Sequence, residues 1–180
     1  MKRKTKNKIK DKILNITADF LENLYFAGGD RFPTTISKYD AFSIFNKKYY
    51  HKYTETSFTK WIDRLRRYGY LDYSPNSTSF EFTCKTKIKL AKAIGLRIGE
   101  SNNYFFISFD VPELKRKSRD NFRNAIKNVG CKQIHKSLWV INKDVHDYIQ
   151  MLAREFRIEK FVVNIISSQS DIDGILDRMF

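Results

Sequence analysis

Between Asn103 and Asn142 the chain switches from strand-like to helix-like patterning and back within forty residues, and few folds can satisfy that order. Tyr104 to Phe109 is an aromatic and β-branched run of strand length. It stops at Asp110-Val111-Pro112, because proline has no amide to offer a neighbouring strand. The spacing then predicts a helix. Phe122, Ala125, Ile126 and Val129 recur at three- and four-residue intervals, while Lys115, Arg116, Lys117, Arg119, Arg123 and Lys127 crowd its remaining surface. Gly130, which tolerates positive φ, closes it. Two extended segments follow, Lys132 to His135 and Leu138 to Ile141, with a reversal at Lys136-Ser137.

Lys143 to Arg157 reads as a second helix that buries Val145, Ile149, Leu152 and Phe156, and Lys160 to Ile166 reads as a fourth strand. Together these make β-α-β-β-α-β, the ferredoxin-like arrangement. Ser170 to Phe180 forms a short amphipathic tail, able to cap the sheet or cross to a second subunit.

The amino-terminal half has a different rhythm. A basic lead, Met1 to Lys8, precedes Ile9, Ile13, Ile16, Phe20 and Leu24, which define one face of a helix ending before Gly28-Gly29. Pro33-Thr34-Thr35 reads as a loop, and Ser37 or Asp40 can cap a second helix carrying Phe42, Ile44, Phe45 and Tyr49. Hydroxyls between Thr54 and Ser57 can cap a third, in which Phe58, Trp61, Ile62, Leu65 and Tyr68 share one side. Its opposite side presents Thr56, Thr59, Lys60, Asp63 and Arg67, with Arg64 and Arg66 on the flanks. After Gly69, Tyr70 to Tyr73 and Phe80 to Thr83 alternate around Ser74-Pro75-Asn76-Ser77 as a two-stranded hairpin should. Three helices and a hairpin are a winged helix-turn-helix. The expected class is therefore α+β: a winged helix-turn-helix over 1–96, a polar, aperiodic linker over 97–102, and a ferredoxin-like domain with a short helical C-terminal tail over 103–180.

Lys and Arg number 34 against 20 Asp and Glu, a net charge of +14, and that surplus favours a polyanionic partner, nucleic acid first. Cys84 and Cys131 fall in different expected domains without a C-x-x-C partner, so they imply neither a disulfide framework nor a zinc site. No apolar run approaches membrane-spanning length and no signal peptide is visible, so the expectation is a soluble, cytoplasmic protein.

Phe109-Asp110-Val111-Pro112-Glu113, Arg119, Arg123, Gly130 and Leu138-Trp139-Val140 resemble the middle domain of the PaaX family of transcriptional repressors. That domain is in turn similar to the small CRISPR-associated endonuclease subunit, in which an aspartate ends the first strand. The stretch from Ser57 to Leu71 also resembles the recognition helix and the start of the wing in PaaX-type regulators. A typical PaaX protein carries a further C-terminal domain, which this shorter chain is expected to lack. The resemblance implies a dimeric repressor of double-stranded DNA.

A helix in the major groove needs short polar or long basic side chains for base edges and cations at its margins for phosphates. Thr56, Ser57, Thr59, Lys60 and Asp63 suit the first role; Arg64, Arg66 and Arg67 suit the second; Tyr73, Ser77 and Thr78 could add contacts from the wing. The bland alternative is a solvated face. Asp110 is the candidate for a different activity: paired with its copy across a dimer axis it could hold Mg²⁺ and support an endonuclease, or it could instead cap the helix beginning at Pro112. The cap is preferred, and neither a catalytic residue nor a cofactor is then expected. His51, His135 and His146 lack metal spacing, Ser137 reads as a turn former, and Trp139 reads as a core anchor whose indole N–H finds a carbonyl.

Overall fold

The computed structural model describes residues 19–27, 32–48, 54–169 and 172–180. It divides into two units, Met1–Lys87 and Ile88–Phe180, and each mixes helix with sheet. In the first, a helical stretch at residues 19–25 (α1) precedes β1 (Thr35–Ser37), α2 (Lys38–Lys48), α3 (Glu55–Arg67), β2 (Leu71–Asp72) and β3 (Ser79–Phe82). The division falls within α4 (Cys84–Lys89). The basic lead, Ile9, Ile13, Ile16, Gly28, Gly29, Tyr49 and His51 lie outside the described residues.

Local chemistry starts these helices. Ser37 Oγ accepts from the Asp40 amide at 3.0 Å and donates to Asp40 Oδ2 at 2.6 Å, so the two candidate caps of α2 act as one. Thr54 Oγ1 accepts from the Ser57 amide at 3.4 Å and starts α3. Aromatic rings then fill the centre. Phe20 meets Phe45 edge-on at 5.4 Å and Trp61 at 6.2 Å, Phe58 meets Phe42 at 5.2 Å and Phe45 at 5.4 Å, and Tyr25 meets Phe82 at 5.1 Å.

The sheet of this unit has three strands, in the order β1-β3-β2, where the sequence predicts a two-stranded hairpin. The extra strand comes from the segment beginning at Thr35, which reads locally as loop; Ile36 pairs with Phe80 and is buried beside it. A three-residue strand whose partner lies more than forty residues away leaves no periodic mark on the sequence.

The second unit contains α5 (Ala91–Arg97), β4 (Glu100–Phe109), a 3₁₀ turn at Glu113–Lys115, α6 (Arg116–Val129), β5 (Lys132–His135) and β6 (Leu138–Lys143). It continues through α7 (His146–Glu155), a second 3₁₀ turn at Glu159–Phe161, β7 (Val162–Ser167) and α8 (Asp173–Leu176). The four strands form an antiparallel sheet ordered β5-β6-β4-β7. Phe105, Ile107, Phe109, Trp139, Val140 and Ile141 are buried in its central strands, and α6 buries Phe122, Ala125, Ile126 and Val129. Phe109 and Phe122 touch edge-on at 5.3 Å. Burying one such large side chain is worth about 1.5–3 kcal/mol, against about 0–1 kcal/mol for an exposed ion pair, so the apolar side of α6 rather than its many arginines holds it down.

Residues 97–102 are not a linker. Arg97 ends α5 and Glu100 begins β4, where it pairs with Lys143. The strand's polar first residues alternate beyond the covered core, which is why they read as loop. Helix α5 belongs to the second unit because Gly95 lets it lie against the end of α6: a Cβ there would stand 1.9 Å from the Val129 carbonyl oxygen. Lys143 Nζ also donates to the Gly95 carbonyl at 2.7 Å.

Two smaller differences concern side chains. The buried Trp139 Nε1 has no hydrogen-bond partner among the described residues, although a carbonyl was expected to meet it. The tail folds back on its own sheet: Leu176 is fully buried, the Tyr104 hydroxyl donates to Asp177 Oδ1 at 3.1 Å, and the Tyr104 and Phe180 rings lie 6.2 Å apart. Cys84 and Cys131 form no disulfide bond. Among the described residues no helix is long and apolar enough to cross a membrane.

The close approach at Gly95 predicts that Gly95→Ala destabilises the protein by about 1–3 kcal/mol, although alanine is the better helix former by about 1 kcal/mol. Gly99, with nothing within 4 Å of its would-be Cβ, should accept alanine with little change. Urea unfolding of both variants checks the pair, and equal stabilities would contradict the packing argument.

Candidate nucleic-acid interface

Helix α3 is divided lengthwise by burial. Phe58, Ile62 and Leu65 are buried, while Thr56, Thr59, Lys60, Arg66 and Arg67 are exposed. At 100° per residue, Thr56, Thr59, Lys60, Asp63 and Arg67 fall on one stripe opposite the core.

Both ends of the helix are held. Thr54 caps the start, and at the finish Gly69 takes φ 72° while the Tyr70 amide donates to the Leu65 carbonyl at 2.9 Å. Thr83 Oγ1 donates to the Gly69 carbonyl at 2.7 Å, Lys85 Nζ donates to the Tyr68 carbonyl at 2.6 Å, and Thr86 Oγ1 donates to the Tyr70 carbonyl. Thr83, Lys85 and Thr86 were not singled out from the sequence as holding this end, because the contacts span fourteen to seventeen residues.

The expected contact residues separate into two groups. Thr56, Lys60 and Arg67 project from the stripe, and none of the three side chains has a polar or ring partner among the described residues. Thr59 stays exposed while its hydroxyl donates to the Glu55 carbonyl at 3.1 Å. Thr78 is exposed on the hairpin, and its carbonyl accepts from the Lys38 amide at 2.9 Å.

The others are engaged internally. Ser57 Oγ lies 3.3 Å from Thr54 Oγ1 in the cap, and Ser77 Oγ shapes the hairpin by donating to the Ser79 carbonyl at 2.8 Å. Arg64 lies over the Trp61 ring at 5.2 Å. Asp63 Oδ1 accepts from the Tyr73 hydroxyl at 2.9 Å, and the Arg66 guanidinium sits 4.5 Å over the same ring. Arg66 also approaches Asp72 at 4.0 Å. Lys38 Nζ lies 5.7 Å from the centre of the Tyr73 ring and 5.9 Å from that of Phe80. Tyr73 thus joins α2, α3 and the hairpin, a role that no spacing rule signals. Burial first, and the Asp63 carboxylate second, raise the Tyr73 hydroxyl above the ordinary tyrosine range.

Asp110 does not cap a helix. The 3₁₀ turn takes Pro112 as its N-cap and α6 takes Lys115, neither with a side-chain cap bond, so Asp110 stands outside both starts. Its amide donates to the Phe161 carbonyl at 3.1 Å, and its exposed carboxylate has no partner among the described residues. The neighbouring Glu113 accepts from Arg119 at 2.8 Å and faces Arg116 at 3.6 Å, and the Arg119 hydrogen bond leads in holding its carboxyl below the usual range. Among the described residues no group of three or more His, Cys, Asp or Glu side chains could hold a metal ion. The donors near Asp110 therefore do not fit a divalent cation within one chain.

Residues 102–174 match the family model described as the PaaX protein central Cas2-like domain. The matched span starts two residues inside β4 and ends within α8, so it takes in the antiparallel sheet and both helices between its strands. No curated protein and no solved structure matches the chain.

Tyr73→Phe keeps the ring contacts and deletes the donor to Asp63, which should cost about 1 kcal/mol of stability near neutral pH. The raised tyrosine favours the fold in its neutral form. Its contribution is whole below the unfolded tyrosine pKa, about 10, and is lost as pH rises through the higher folded value. Denaturation across alkaline pH should show the gap between wild type and Tyr73→Phe closing above about pH 10; a widening gap would contradict the assignment.

Proposed function

We propose that this chain is a sequence-specific, double-stranded-DNA-binding transcriptional regulator, a dimeric repressor of PaaX type acting in the cytoplasm. The first unit supports a winged helix-turn-helix reading through its order α1-β1-α2-α3-β2-β3, with α3 in the recognition position and the β2–β3 hairpin as wing. The second supports a ferredoxin-like reading through its β-α-β-β-α-β order, its strand order and the matched family domain. The observation that carries the proposal is the outward stripe of Thr56, Thr59, Lys60 and Arg67 on a helix whose other side is buried.

In this reading Thr56, Thr59 and Lys60 face base edges and Arg67 faces phosphate. Asp63, Arg66 and Tyr73 act one step back, by fastening wing to helix. Arg64, half-buried on the flank against the Trp61 ring, and Thr78, exposed on the wing, border the stripe where the DNA backbone would pass.

A second copy is drawn to the edge strand β7. Val163, Ile165 and Ile166 are each more than half exposed there, and no charged residue lies between Phe161 and Gln169. Soluble proteins ordinarily guard such an edge with charge, and a like strand from a second subunit is the simplest cover. A two-fold dimer would then bind an inverted repeat with half-sites a whole number of helical turns apart, and repression would follow from occlusion of the promoter.

Selection of bound sequences from a random duplex library, followed by anisotropy titration, tests the proposal. Lys60→Ala and Arg67→Ala should each weaken binding about 5- to 100-fold with the unfolding curve unchanged, while Asp110→Ala leaves affinity as it was. Wild-type affinity in both cationic variants would overturn the assignment of α3.

A further inference from the structure

The second unit is electrically divided. From Lys117 to Lys136 there are six Lys and Arg residues and one carboxylate, Asp120, whereas residues 137–180 hold five Lys and Arg against seven Asp and Glu. Asp120 is itself covered, with Arg116 at 3.8 Å and Arg123 at 3.5 Å. Lys117, Lys127, Lys132 and Lys136 are all exposed, and none of their ammonium groups has a partner among the described residues.

Lys117 and Lys127 lie on α6, Lys132 begins β5, and Lys136 opens the turn that follows β5. Helix α6 runs from Arg116 to Val129, turns at Gly130 with φ 113°, and β5 returns from Lys132 to His135 along the edge of the sheet. At the far end Arg123 donates to the Lys136 carbonyl at 3.4 Å, so helix and edge strand are tied at both ends. On α6, Asn121, Asn124 and Asn128 are exposed on the stripe that Lys117 begins. Asparagine is a poor helix former, so three of them on an exposed stripe do nothing for helix stability, whereas each side-chain amide can donate to a phosphate oxygen. A lysine on an edge strand also discourages strand addition, which accounts for Lys132 but not for Lys117, Lys127 or the asparagines.

We propose that α6 and the β5 edge form a second, sequence-independent track for the phosphate backbone of double-stranded DNA, apart from α3. Lys117 and Lys127 lie about 15 Å apart along the helix, the rise of roughly four nucleotide steps. Lys, Asn and no free carboxylate is the chemistry of backbone contact: cations release counterions from phosphates, amides donate to their oxygens, and neither reads a base. The track rests on the DNA-binding reading above and adds to it. It takes the unit that carries no recognition helix as a source of affinity without specificity.

The test is the salt dependence of duplex binding by the full chain, measured by anisotropy over a potassium chloride series. One variant combines Lys127→Gln, Lys132→Gln and Lys136→Gln. A charge-matched control combines Lys92→Gln, Arg154→Gln and Lys160→Gln, exposed positions outside the track. Each phosphate contact contributes about 0.9 to the slope of log affinity against log salt, so the track variant should lose about 2–3 from that slope and the control under about 1. The ratio of affinities for selected and scrambled duplexes should stay as in wild type. Binding by wild type with the same slope in both variants overturns the track alone, and leaves its lysines to an acidic protein or to solvent. No duplex binding by wild type overturns the track together with the regulator reading.

Discussion

Burial of Phe58, Ile62 and Leu65 along one side of α3 decides which residues of that helix meet solvent, and the other features of the first unit reinforce that choice. Truncating a buried phenylalanine typically costs about 3–5 kcal/mol, several times the ~1 kcal/mol of a helix cap, so the apolar contact sets the rotation of the helix and Thr54 sets only where it starts. Phe58 is gripped from two directions by Phe42 and Phe45. Turning α3 enough to bury Lys60 or Arg67 would mean leaving those rings.

Position along the axis is fixed separately. Gly69, Thr83, Lys85 and Thr86 use up carbonyls at the end of α3, and the Asp63–Tyr73–Arg66 cluster binds its middle to the hairpin. Preorganisation of this kind is what the proposed reading of bases would require, with helix and hairpin presented to one duplex together. It also separates side chains of similar chemistry: Lys60 and Arg67 stay without a partner among the described residues, while Asp63 and Arg66 are held against Tyr73.

Much of this was legible in the sequence because amphipathic spacing and turn chemistry are local. The helix at Phe58 to Leu65, the strand ending at Asp110, the glycine stop at Gly130 and the reversal at Lys136-Ser137 all follow from patterns within one element. What escaped depends on distant pairs. Ile36 becomes a strand residue only beside Phe80, α5 joins the second unit only through the bare backbone of Gly95 against Val129, and Asp63 finds Tyr73 ten residues away. Asp110 looked like a cap because Pro112 suggested a helix start; the intervening 3₁₀ turn moves α6 to Arg116 and leaves the carboxylate in solvent. On the third helix the polar stripe was visible, but which of its members were already occupied was not.

DNA is proposed to lie along the uncommitted side of α3. Backbone amide shifts of the full chain, followed by NMR while a selected duplex is titrated in, measure this most directly. The account predicts the largest changes from Thr56 to Arg67, centred on Thr59 and Lys60. Saturable binding that leaves those amides unmoved while shifting others would contradict it.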